Sequence, residues 1–520
     1  MRVERQNLIE SLRRGEFDLL VIGGGITGAG IALDATLRGL RVALVEKGDF
    51  ASGTSSASSK LIHGGLRYLE HGEFGLVREA LRERHVLLRI APHLVRPLKI
   101  VVPQYERAGR SRWTMKLGLS LYDWLAGRER IGRHRWLAAA DVVAAAPGLR
   151  ENGLRGGFEF FDAQMDDARL CLEVALTAIE RGARAANYVE VVEIRHDRAG
   201  RVCGCEVSDR VTGESFAIRA RRVVNAAGPW LDEINRIDDP TAAERLAPTK
   251  GVHVILPSLG LATGLLVTHP ADRRVMFMLP WMSRTLVGTT DTFYDDRTND
   301  VVADAVDVEY LLAATNHYFD RGFAPHDVIA TLAGLRPLLR RRSRDASAVS
   351  REFSIYRSAS GLWSIAGGKY TTYRSMAEQL VDRVISDFGE SAARSSCRTA
   401  DHRLVGCPDR NWATFRDQET QSLAAMYCMN PQITQQLVDR YGCRAGALLG
   451  ETGSDEQSRQ PIIRGELDIQ AELPYHAHHE MAVCVADSLL RRTRLGLLHP
   501  ELSAADLKWP VAGNCGTLKP

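Results

Sequence analysis

The feature that most constrains the fold is a glycine-rich turn near the start of the chain. A short apolar run, 17–22, leads into Gly23, and Gly25 and Gly28 complete the pattern G-x-G-x-x-G as a helical stretch, 26–38, begins. Glycines at these spacings permit a tight turn, close approach of the backbone to a pyrophosphate and close packing of the helix on the strand. The pattern therefore predicts a βαβ unit that binds a dinucleotide.

An acidic residue after the second strand narrows the choice of dinucleotide. The strand, 41–45, is followed by Glu46, which is placed to accept hydrogen bonds from a ribose diol. A carboxylate at this point disfavours a 2′-phosphate and so argues against NADP. A glycine-rich turn in an ordinary βαβ unit would not need the acid, and NAD and FAD both stay open.

A run of small hydroxyl residues, glycines and two basic residues follows at 53–65, GTSSASSKLIHGG. Such a run lets the backbone pass close to an extended, phosphate-bearing ligand. A flexible surface linker is the alternative, but apolar Leu61, Ile62 and Leu66 are interleaved and fit a linker poorly. The run is therefore interpreted as part of a ligand cradle.

Charge and composition exclude other classes of protein. Across 520 residues, 67 Lys and Arg oppose 64 Asp and Glu, a formal net charge of +3, whereas a nucleic-acid-binding domain is usually strongly basic. The nine scattered cysteines are typical of a reduced, cytosolic protein, and no metal site is predicted. The charged segment 1–18 is not a signal peptide, and no apolar stretch is long enough to span a membrane.

The rest of the chain alternates between strand and helix patterns up to about residue 390 and is mainly helical beyond it. The predicted helices lie at 76–96, 167–182, 305–321, 371–388, 411–429, 431–441 and 476–495, and predicted strands lie within 188–226 and 252–294. The segment 105–136 is interpreted as irregular. In it eight Lys and Arg oppose three acids, with Trp113, Trp124 and Trp136 interleaved.

Several sequence blocks carry a family resemblance. Residues 18–70, DLLVIGGGITGAGIALDATLRGLRVALVEKGDFASGTSSASSKLIHGGLRYLE, closely resemble the FAD-dependent, aerobic (respiratory) glycerol-3-phosphate dehydrogenases. The resemblance continues in family order through FFDAQMDDARL (160–170), VVNAAGPW (223–230), KGVHVILP (250–257), VGTTDT (287–292), LAGLRPLL (332–339) and GGKYTTYR (367–374). A weaker match, DSLLRRTR at 487–494, lies in the C-terminal part.

The resemblance implies an α/β (α+β) protein with a glutathione-reductase-type Rossmann FAD-binding domain, a β-rich substrate cap and a mainly helical C-terminal domain. The FAD-dependent oxidoreductase region would span 15–390, and the C-terminal domain 395–520. Within the first region, FAD-binding segments are expected at about 15–80, 155–245 and 330–390, and cap segments at about 80–155 and 245–330.

The same resemblance assigns residues to FAD. Gly23, Gly25, Gly28 and Glu46 would hold its ADP half, with Val191 at the adenine. The residues expected along the pyrophosphate and the flavin are Thr54, Ser55, Ser58, Lys60, Leu61, His63, Gly64, Gly65, Ala227, Gly228, Gly368, Lys369, Thr371 and Thr372. After the turn at 367–368, a helix N-terminus would stabilise the anion that forms at the flavin pyrimidine edge.

The implied substrate, glycerol 3-phosphate, carries a dianionic phosphate and a secondary alcohol. Arg67, Arg351 and Lys369 are the expected phosphate clamp. His253 is the expected general base for the C2 hydroxyl, and Arg336 is expected to stabilise the developing alkoxide. The alternatives are a core histidine on an apolar strand and ordinary surface arginines.

The resemblance also implies that electrons pass to membrane quinone, from a cytoplasmic enzyme attached peripherally to the inner face of the cell membrane. The segment 105–136 suits docking on an anionic membrane surface, and a solvated basic face with buried tryptophans is the alternative. The basic run 340–344 is interpreted as a solvated turn. The oligomeric state, a homodimer included, is left open.

Three rival functions stay open at this point. A glycerol-3-phosphate oxidase that uses O2 would share nearly every motif. An amino-acid or hydroxy-acid oxidoreductase would need a carboxylate site and would not need this many clustered cations. A non-catalytic flavin-binding regulator would hold FAD that stays oxidised when glycerol 3-phosphate is added.

Overall fold

The computed structural model describes residues 4–106, 111–295, 301–340, 352–389, 396–502 and 507. Its strands, in chain order, are β1 (Glu16–Ile22), β2 (Val42–Val45), β3 (Leu61–Ile62), β4 (Val95–Tyr105), β5 (Arg135–Leu137), β6 (Leu154–Met165), β7 (Arg184–Ala186), β8 (Val189–His196), β9 (Val202–Asp209), β10 (Ser215–Asn225), β11 (Thr249–Pro257), β12 (Gly264–Thr268), β13 (Val275–Trp281), β14 (Arg284–Gly288), β15 (Thr292–Phe293), β16 (Ala330–Arg336), β17 (Phe353–Arg357) and β18 (Trp363–Gly367).

The helices agree with most of the predicted ones to within a few residues. They are α1 (Arg5–Arg14), α2 (Ile26–Leu37), α3 (Phe74–Ile90), α4 (Arg112–Ala126), α5 (Ala139–Ala145), α6 (Asp167–Glu180), α7 (Leu231–Asp238), α8 (Ala305–Tyr318), α9 (Tyr373–Ser386), α10 (Trp412–Tyr427), α11 (Pro431–Tyr441), α12 (Ala445–Gly450), α13 (Glu472–His479), α14 (Val485–Asp487) and α15 (Leu495–Leu498). Between the last two, Ser488–Arg492 forms a short π-helix.

The first sheet confirms the Rossmann-type opening. Its strand order is β17-β18-β10-β1-β2-β7, with β9 and β8 continuing antiparallel from β10. β1 runs parallel to both β2 and β10, and all its residues after Glu16 are buried, as expected of a parallel strand covered on both faces. Helix α2 packs between α6 and α9 on one face of this sheet, and the hydrophobic core there includes Leu19 of β1 and Leu380 of α9.

The second sheet forms the β-rich cap. Its order is β15-β11-β14-β13-β12-β4-β6-β3, with β16 paired to β11 and β5 paired to β6. In this sheet β6 pairs with β4, and β16 pairs with β11. The sheet therefore includes 154–165 and 330–336, although the sequence assigns nearly all of these residues to FAD-binding segments. The sequence-based domain boundaries stay a prediction.

The structure corrects three local predictions. The helix predicted at 76–96 ends at Ile90, and residues 95 and 96 belong to β4. The segment 105–136 is not irregular throughout, because α4 forms with Ser111 as its N-cap, and the Ser111 hydroxyl accepts a hydrogen bond from the Thr114 N–H. The predicted helix 476–495 is interrupted, because α13 ends at His479 and Met481 takes a positive φ of 57°. That break allows the buried carboxylate of Glu480 to pair with Arg169.

Candidate active site

A cavity of about 520 Å³ lies where the carboxyl ends of β1, β2 and β10 face the cap strands β11 and β16. Clefts of this size at the carboxyl ends of parallel strands are the usual ligand sites of such sheets. The predicted site residues that line it are Gly23, Gly25, Glu46, Thr54, Ser55, Ser58, Leu61, His63, Val191, Ala227, Gly228, His253, Arg336, Gly368, Lys369 and Thr371. Its lining does not include Gly28, Lys60, Gly64, Gly65 or Thr372.

The turn between β1 and α2 is tight enough to require its glycines. Gly23 has a φ of 110°, and a Cβ atom there would lie 2.6 Å from the carbonyl oxygen of Ala226. A Cβ atom on Gly28 would lie 1.8 Å from the carbonyl oxygen of Gly23. Gly28 therefore closes the turn from behind, while Gly23 and Gly25 face the cavity.

The N-terminus of α2 opens into this cavity. Its N-cap is Gly25, which provides no side-chain cap, and the N–H of Ile26 donates to the Ser55 hydroxyl over 2.9 Å. The first-turn N–H groups and the positive end of the helix dipole thus face the space that a ligand would occupy, an arrangement that favours phosphate oxygens. These residues fit the pyrophosphate of a dinucleotide.

Glu46 is held at the edge of the same cavity by two backbone N–H groups. One carboxylate oxygen accepts from Gly24 over 2.6 Å, and the other accepts from Gly48 over 2.8 Å. Burial raises the pKa of Glu46, although both hydrogen bonds act in the opposite direction. Each oxygen has a second lone pair, so the carboxyl group can still accept hydrogen bonds from a ribose diol.

The side chains of the run 53–65 hold it against strand β16 and helix α6. The Thr54 hydroxyl donates to the carbonyl oxygen of Leu335 over 2.5 Å, and the Ser58 hydroxyl donates to Asp167 over 2.7 Å. The side chain of Lys60 is fully buried, with its ammonium 2.7 and 2.8 Å from the two Asp167 oxygens. This ammonium is therefore committed to an ion pair and does not face a ligand.

The two glycines at the end of this run pack on its side away from the cavity. The N–H of Gly64 donates to the Tyr122 hydroxyl over 2.8 Å, and a Cβ atom on Gly64 would lie 2.4 Å from that oxygen. Gly65 has a φ of 77° and begins a 3₁₀ helix, Leu66–His71. Both glycines shape the backbone beside the cavity without lining it.

At the other end of the cavity, His253 and Arg336 lie on the same face of the cap sheet. His253 is on β11, paired with Gly288 of β14, and its ring occupies the space that a Gly288 side chain would fill. The guanidinium of Arg336 likewise covers Gly251, two residues before His253. Glycines at these two strand positions make room for the functional side chains.

Hydrogen bonds fix the orientation of both groups. His253 Nε2 lies 2.9 Å from the Ser59 hydroxyl, while its Nδ1 is buried and has no partner among the described residues. Arg336 Nη1 pairs with Asp291 over 3.0 Å, and its Nη2 donates to the Thr289 hydroxyl over 2.9 Å. The arginine thus presents a fixed positive charge close to the imidazole.

The imidazole is kept neutral at ordinary pH. Burial, together with the charges of Arg336 and Lys60, lowers the pKa of His253 to about 3, and Asp167 opposes this shift. One ring nitrogen therefore carries no proton near pH 7 and offers its lone pair as a hydrogen-bond acceptor. A histidine in an apolar strand is usually a core residue, but this one lines a cavity.

The glycine-rich turn at 367–368 also reaches the cavity. Gly368 has a φ of 97°, and the Lys369 ammonium lies 3.6 Å from the centre of the Tyr68 ring. Thr371 lines the cavity, and its hydroxyl accepts from the N–H of His63 over 3.4 Å. Thr372 is buried just before α9 and is not part of the cavity wall.

The structure does not describe the side chains of two arginines of the predicted phosphate clamp. Arg67 lies in the 3₁₀ helix beside the cavity, but its side chain is outside the described part of the structure. Arg351 lies outside the described residues altogether, as does most of the basic run 340–344. Their assignment to substrate phosphate stays a prediction.

Sequence reasoning missed Ser59, Tyr68 and Asp167. Ser59 contacts His253, Tyr68 contacts Lys369, and Asp167 holds Ser58 and Lys60. All three lie within blocks that carry the family resemblance, which was the available signal. Their partners are between 107 and 301 residues away in sequence, so no local pattern could have paired them.

Family comparisons agree with this geometry. Residues 18–382 match the FAD dependent oxidoreductase family, and residues 397–508 match the C-terminal domain of alpha-glycerophosphate oxidase. The aerobic glycerol-3-phosphate dehydrogenase of Staphylococcus saprophyticus is 36% identical over 504 residues, which cover 94% of this chain and 89% of that protein. The chain belongs to the aerobic glycerol-3-phosphate dehydrogenase family of FAD-dependent oxidoreductases.

Solved structures extend the comparison. The glycerol-3-phosphate dehydrogenase from Bacillus halodurans, solved in complex with FAD, superposes with a TM-score of 0.79 at 33% identity, covering 96% of this chain and 90% of that one. Glycine oxidase from Geobacillus kaustophilus shares the fold, with a TM-score of 0.54 and 23% identity over 76% of this chain and 99% of that one. The cofactor of this family member is FAD.

Proposed function

We propose that the protein oxidises sn-glycerol 3-phosphate to dihydroxyacetone phosphate. The observation that carries this proposal is a neutral, cavity-lining His253 beside a fixed Arg336, opposite a cavity end suited to a dinucleotide pyrophosphate. Relatives at 36% identity bear the name aerobic glycerol-3-phosphate dehydrogenase, which supports the choice of substrate.

The cofactor residues follow from the cavity lining. The turn at Gly23 and Gly25 would hold the pyrophosphate, and Glu46 a ribose diol. The backbone around 58–65 and 367–371 would pass the isoalloxazine ring. When bound there, FAD supplies a hydride acceptor for the C2 hydrogen of the substrate.

His253 is the proposed base for the C2 hydroxyl. Its neutral ring can take the hydroxyl proton, and the incoming phosphate dianion raises the affinity of the ring for that proton by placing negative charge nearby. Arg336, positioned by Asp291 and Thr289, would stabilise the oxygen as it becomes an alkoxide and then a ketone.

The phosphate needs cations at the same end of the cavity. Lys369, held over the Tyr68 ring, lines the wall there, and Arg67 and Arg351 are proposed to complete the clamp. Arginine pairs phosphate oxygens bidentately, so the clamp would also fix the orientation of C2 relative to His253.

Anaerobic addition of glycerol 3-phosphate to the FAD-loaded protein tests the proposal. We expect the visible absorbance of the oxidised flavin to bleach on a catalytic timescale, while glycerol and L-lactate leave it unchanged. Bleaching by an amino acid or hydroxy acid instead would assign a different substrate class. Flavin that stays oxidised with every donor would make the protein a non-catalytic flavin-binding regulator.

We further propose that the enzyme is cytoplasmic and docks peripherally on the inner, anionic face of the cell membrane through α4. The outer face of this helix exposes Trp113, Leu117 and Trp124, each with more than 70% of its surface accessible, beside the cations of Arg112 and Lys116. Aromatic and basic side chains in this pattern suit a lipid headgroup region. No helix in the described residues is long and apolar enough to cross a membrane.

Vesicle sedimentation tests the docking surface. The Trp113→Ser, Trp124→Ser double variant should bind phosphatidylglycerol vesicles at least about tenfold more weakly, and salt should weaken the wild type. Met426→Ser removes an equally exposed apolar side chain elsewhere and should bind as the wild type does. Equal binding of all three proteins would reject α4 as the docking surface.

Membrane quinone is the proposed electron acceptor, because docking through α4 would hold the enzyme where quinones dissolve. Turnover with a soluble quinone analogue should exceed peroxide formation in air by at least about tenfold. The reverse ratio would favour a glycerol-3-phosphate oxidase.

A further inference from the structure

The C-terminal domain reaches the floor of the active site through one arginine. Arg494, the last residue of the 487–494 block, is 1% exposed and has a positive φ of 69°. Its Nη2 lies 2.9 Å from Asp166 and 2.5 Å from Asp167, both at the start of α6. Three and four residues further on, Leu497 and Leu498 pack in the core of the cap. The arginine is therefore anchored on both sides.

Asp167 in turn holds both ends of a tripeptide that borders the cavity. One of its oxygens accepts from the Ser58 N–H over 3.0 Å and from the Ser58 hydroxyl over 2.7 Å. Its oxygens also lie 2.7 and 2.8 Å from the Lys60 ammonium. Lys60 has a positive φ of 58°, a conformation that a non-glycine residue keeps only where its surroundings impose it.

The residue between these two anchors contacts the candidate base. Ser59 lines the cavity, and its hydroxyl lies 2.9 Å from His253 Nε2. Asp167 thus holds the N–H and hydroxyl of Ser58 on one side of Ser59 and the side chain of Lys60 on the other, which restricts where the Ser59 hydroxyl can lie. That hydroxyl is the hydrogen-bond partner of the ring among the described residues, so its position affects how the ring is turned.

We propose that Arg494 of the C-terminal domain is a positioning residue for His253: through Asp167 it holds the segment 58–60, whose central residue, Ser59, orients the imidazole. The proposal rests on the proposed function of His253 as the base. It gives the C-terminal domain a part in the chemical step, although Arg494 does not itself line the cavity.

Orientation of a base affects the chemical step more than substrate binding, because the imidazole must be aligned with the proton that it takes. Ser59→Ala should therefore slow flavin reduction at saturating glycerol 3-phosphate by about tenfold, with KM changed by less than about twofold. Arg494→Gln should slow it by about three- to tenfold, and Arg494→Lys, which keeps the charge, should restore part of the loss.

The decisive measurement is a double-mutant cycle between positions 494 and 59 on the reduction rate. If Arg494 acts through Ser59, the double variant should be no slower than about the slower single variant, because the second change removes a contact already lost. Losses that multiply would overturn the proposal. So would a Ser59→Ala variant that reduces its flavin within twofold of the wild-type rate.

Arg440→Gln controls for general damage to the C-terminal domain. Arg440 is also buried, pairs with Asp468 and Glu472 inside that domain and donates to the carbonyl oxygen of Thr493, so its replacement disturbs the surroundings of Arg494 without removing the bond from Arg494 to Asp167. Its effect on the rate should multiply with that of Ser59→Ala. If Arg440→Gln shows the same non-additivity as Arg494→Gln, the role of Arg494 is merely structural and the proposal fails.

A second readout does not depend on the substrate. The ¹⁵N shifts of His253 in the FAD-loaded protein, assigned by difference from His253→Asn, should change in Ser59→Ala and in Arg494→Gln but not in Arg440→Gln. Unchanged shifts in the first two variants would overturn the positioning role. Changed shifts in a protein whose flavin is not reduced by glycerol 3-phosphate would instead reject only the proposed function.

Discussion

Two regions of this molecule bury charged or titratable side chains, and they do so in opposite ways. In the C-terminal seam, Arg491 and Arg492 pair with Asp49, and Arg494 pairs with Asp167. In the active site, His253 has one ring nitrogen without a partner among the described residues and has cations nearby. Buried acids with several partners hold domains together, whereas an incompletely satisfied base beside a cavity is available for chemistry.

The same difference appears in the protonation of the two groups. Burial alone would raise the pKa of Asp167, but Lys60 and Arg494 outweigh it and hold this pKa below its usual value. Burial lowers the pKa of His253, and Arg336 lowers it further. Asp167 is therefore kept charged, and His253 is kept neutral, at the same pH.

The largest expected effect is on catalysis, at the active-site side of this comparison. His253→Asn should lower the rate of flavin reduction by glycerol 3-phosphate by about 10²–10⁴-fold, because the proton acceptor is lost. Its free energy of unfolding at pH 7.5 should stay within about 1 kcal/mol of the wild-type value, since no buried ion pair is broken. Stopped-flow reduction and urea unfolding measure the two quantities, and a rate loss under threefold would remove His253 from the role of base.

In the C-terminal seam the largest expected effect is on stability. Asp167→Asn should lower the free energy of unfolding by about 3–5 kcal/mol, because it leaves the buried Lys60 ammonium without its carboxylate and Arg494 with Asp166 alone. Urea unfolding of the FAD-loaded protein measures this change. A loss below about 1 kcal/mol would mean that the seam contributes little to holding the domains together.

The pH dependence of stability should distinguish the two regions further. Between pH 6.5 and 5 the unfolded chain protonates its histidine, while folded His253, with a pKa of about 3, stays neutral. Stability is therefore lost as the pH falls, by about 2 kcal/mol from this residue at pH 5. His253→Asn should lack that part of the decrease in urea unfolding, and parallel pH profiles for the two proteins would contradict the expected protonation state.

The smallest effect is expected at an ion pair outside both regions. Asp401 pairs with Arg89 over 2.7 Å, but its side chain is 81% exposed. Asp401→Asn should change the free energy of unfolding by less than about 1 kcal/mol, since solvent screens such pairs. This variant is the matched control for Asp167→Asn, and a comparable loss from both would show that burial is not what gives the seam its strength.

Much of the cofactor end could be predicted from the sequence, because its residues are close together in the chain. Gly23, Gly25 and Glu46 belong to one βαβ unit, so their spacing alone determines that they meet. The substrate end could not be assembled in this way. His253 and Arg336 come from different strands, and their neighbours Ser59 and Asp291 come from two further segments.

Lys60 and Lys369 show where the sequence stops being informative. Both are lysines within family blocks, and both were expected at the flavin. The tertiary structure buries the first ammonium against Asp167 and leaves the second at the cavity wall over Tyr68. A lysine side chain is long and flexible, so its ammonium can reach partners in several directions. Whether it forms a structural ion pair or faces a ligand therefore depends on whether a carboxylate lies within its reach.

The sequence by itself determined the βαβ turn and its dinucleotide ligand, because both depend on residues at fixed short spacings, and the family resemblance of its blocks indicated FAD. Only the tertiary structure decided that α4 exposes its tryptophans, that Ser59 contacts the candidate base and that Arg494 joins the C-terminal domain to Asp167. The last two of these contacts join residues that are 194 and 327 positions apart. They depend on how sheets and helices pack, which short-range spacing does not encode.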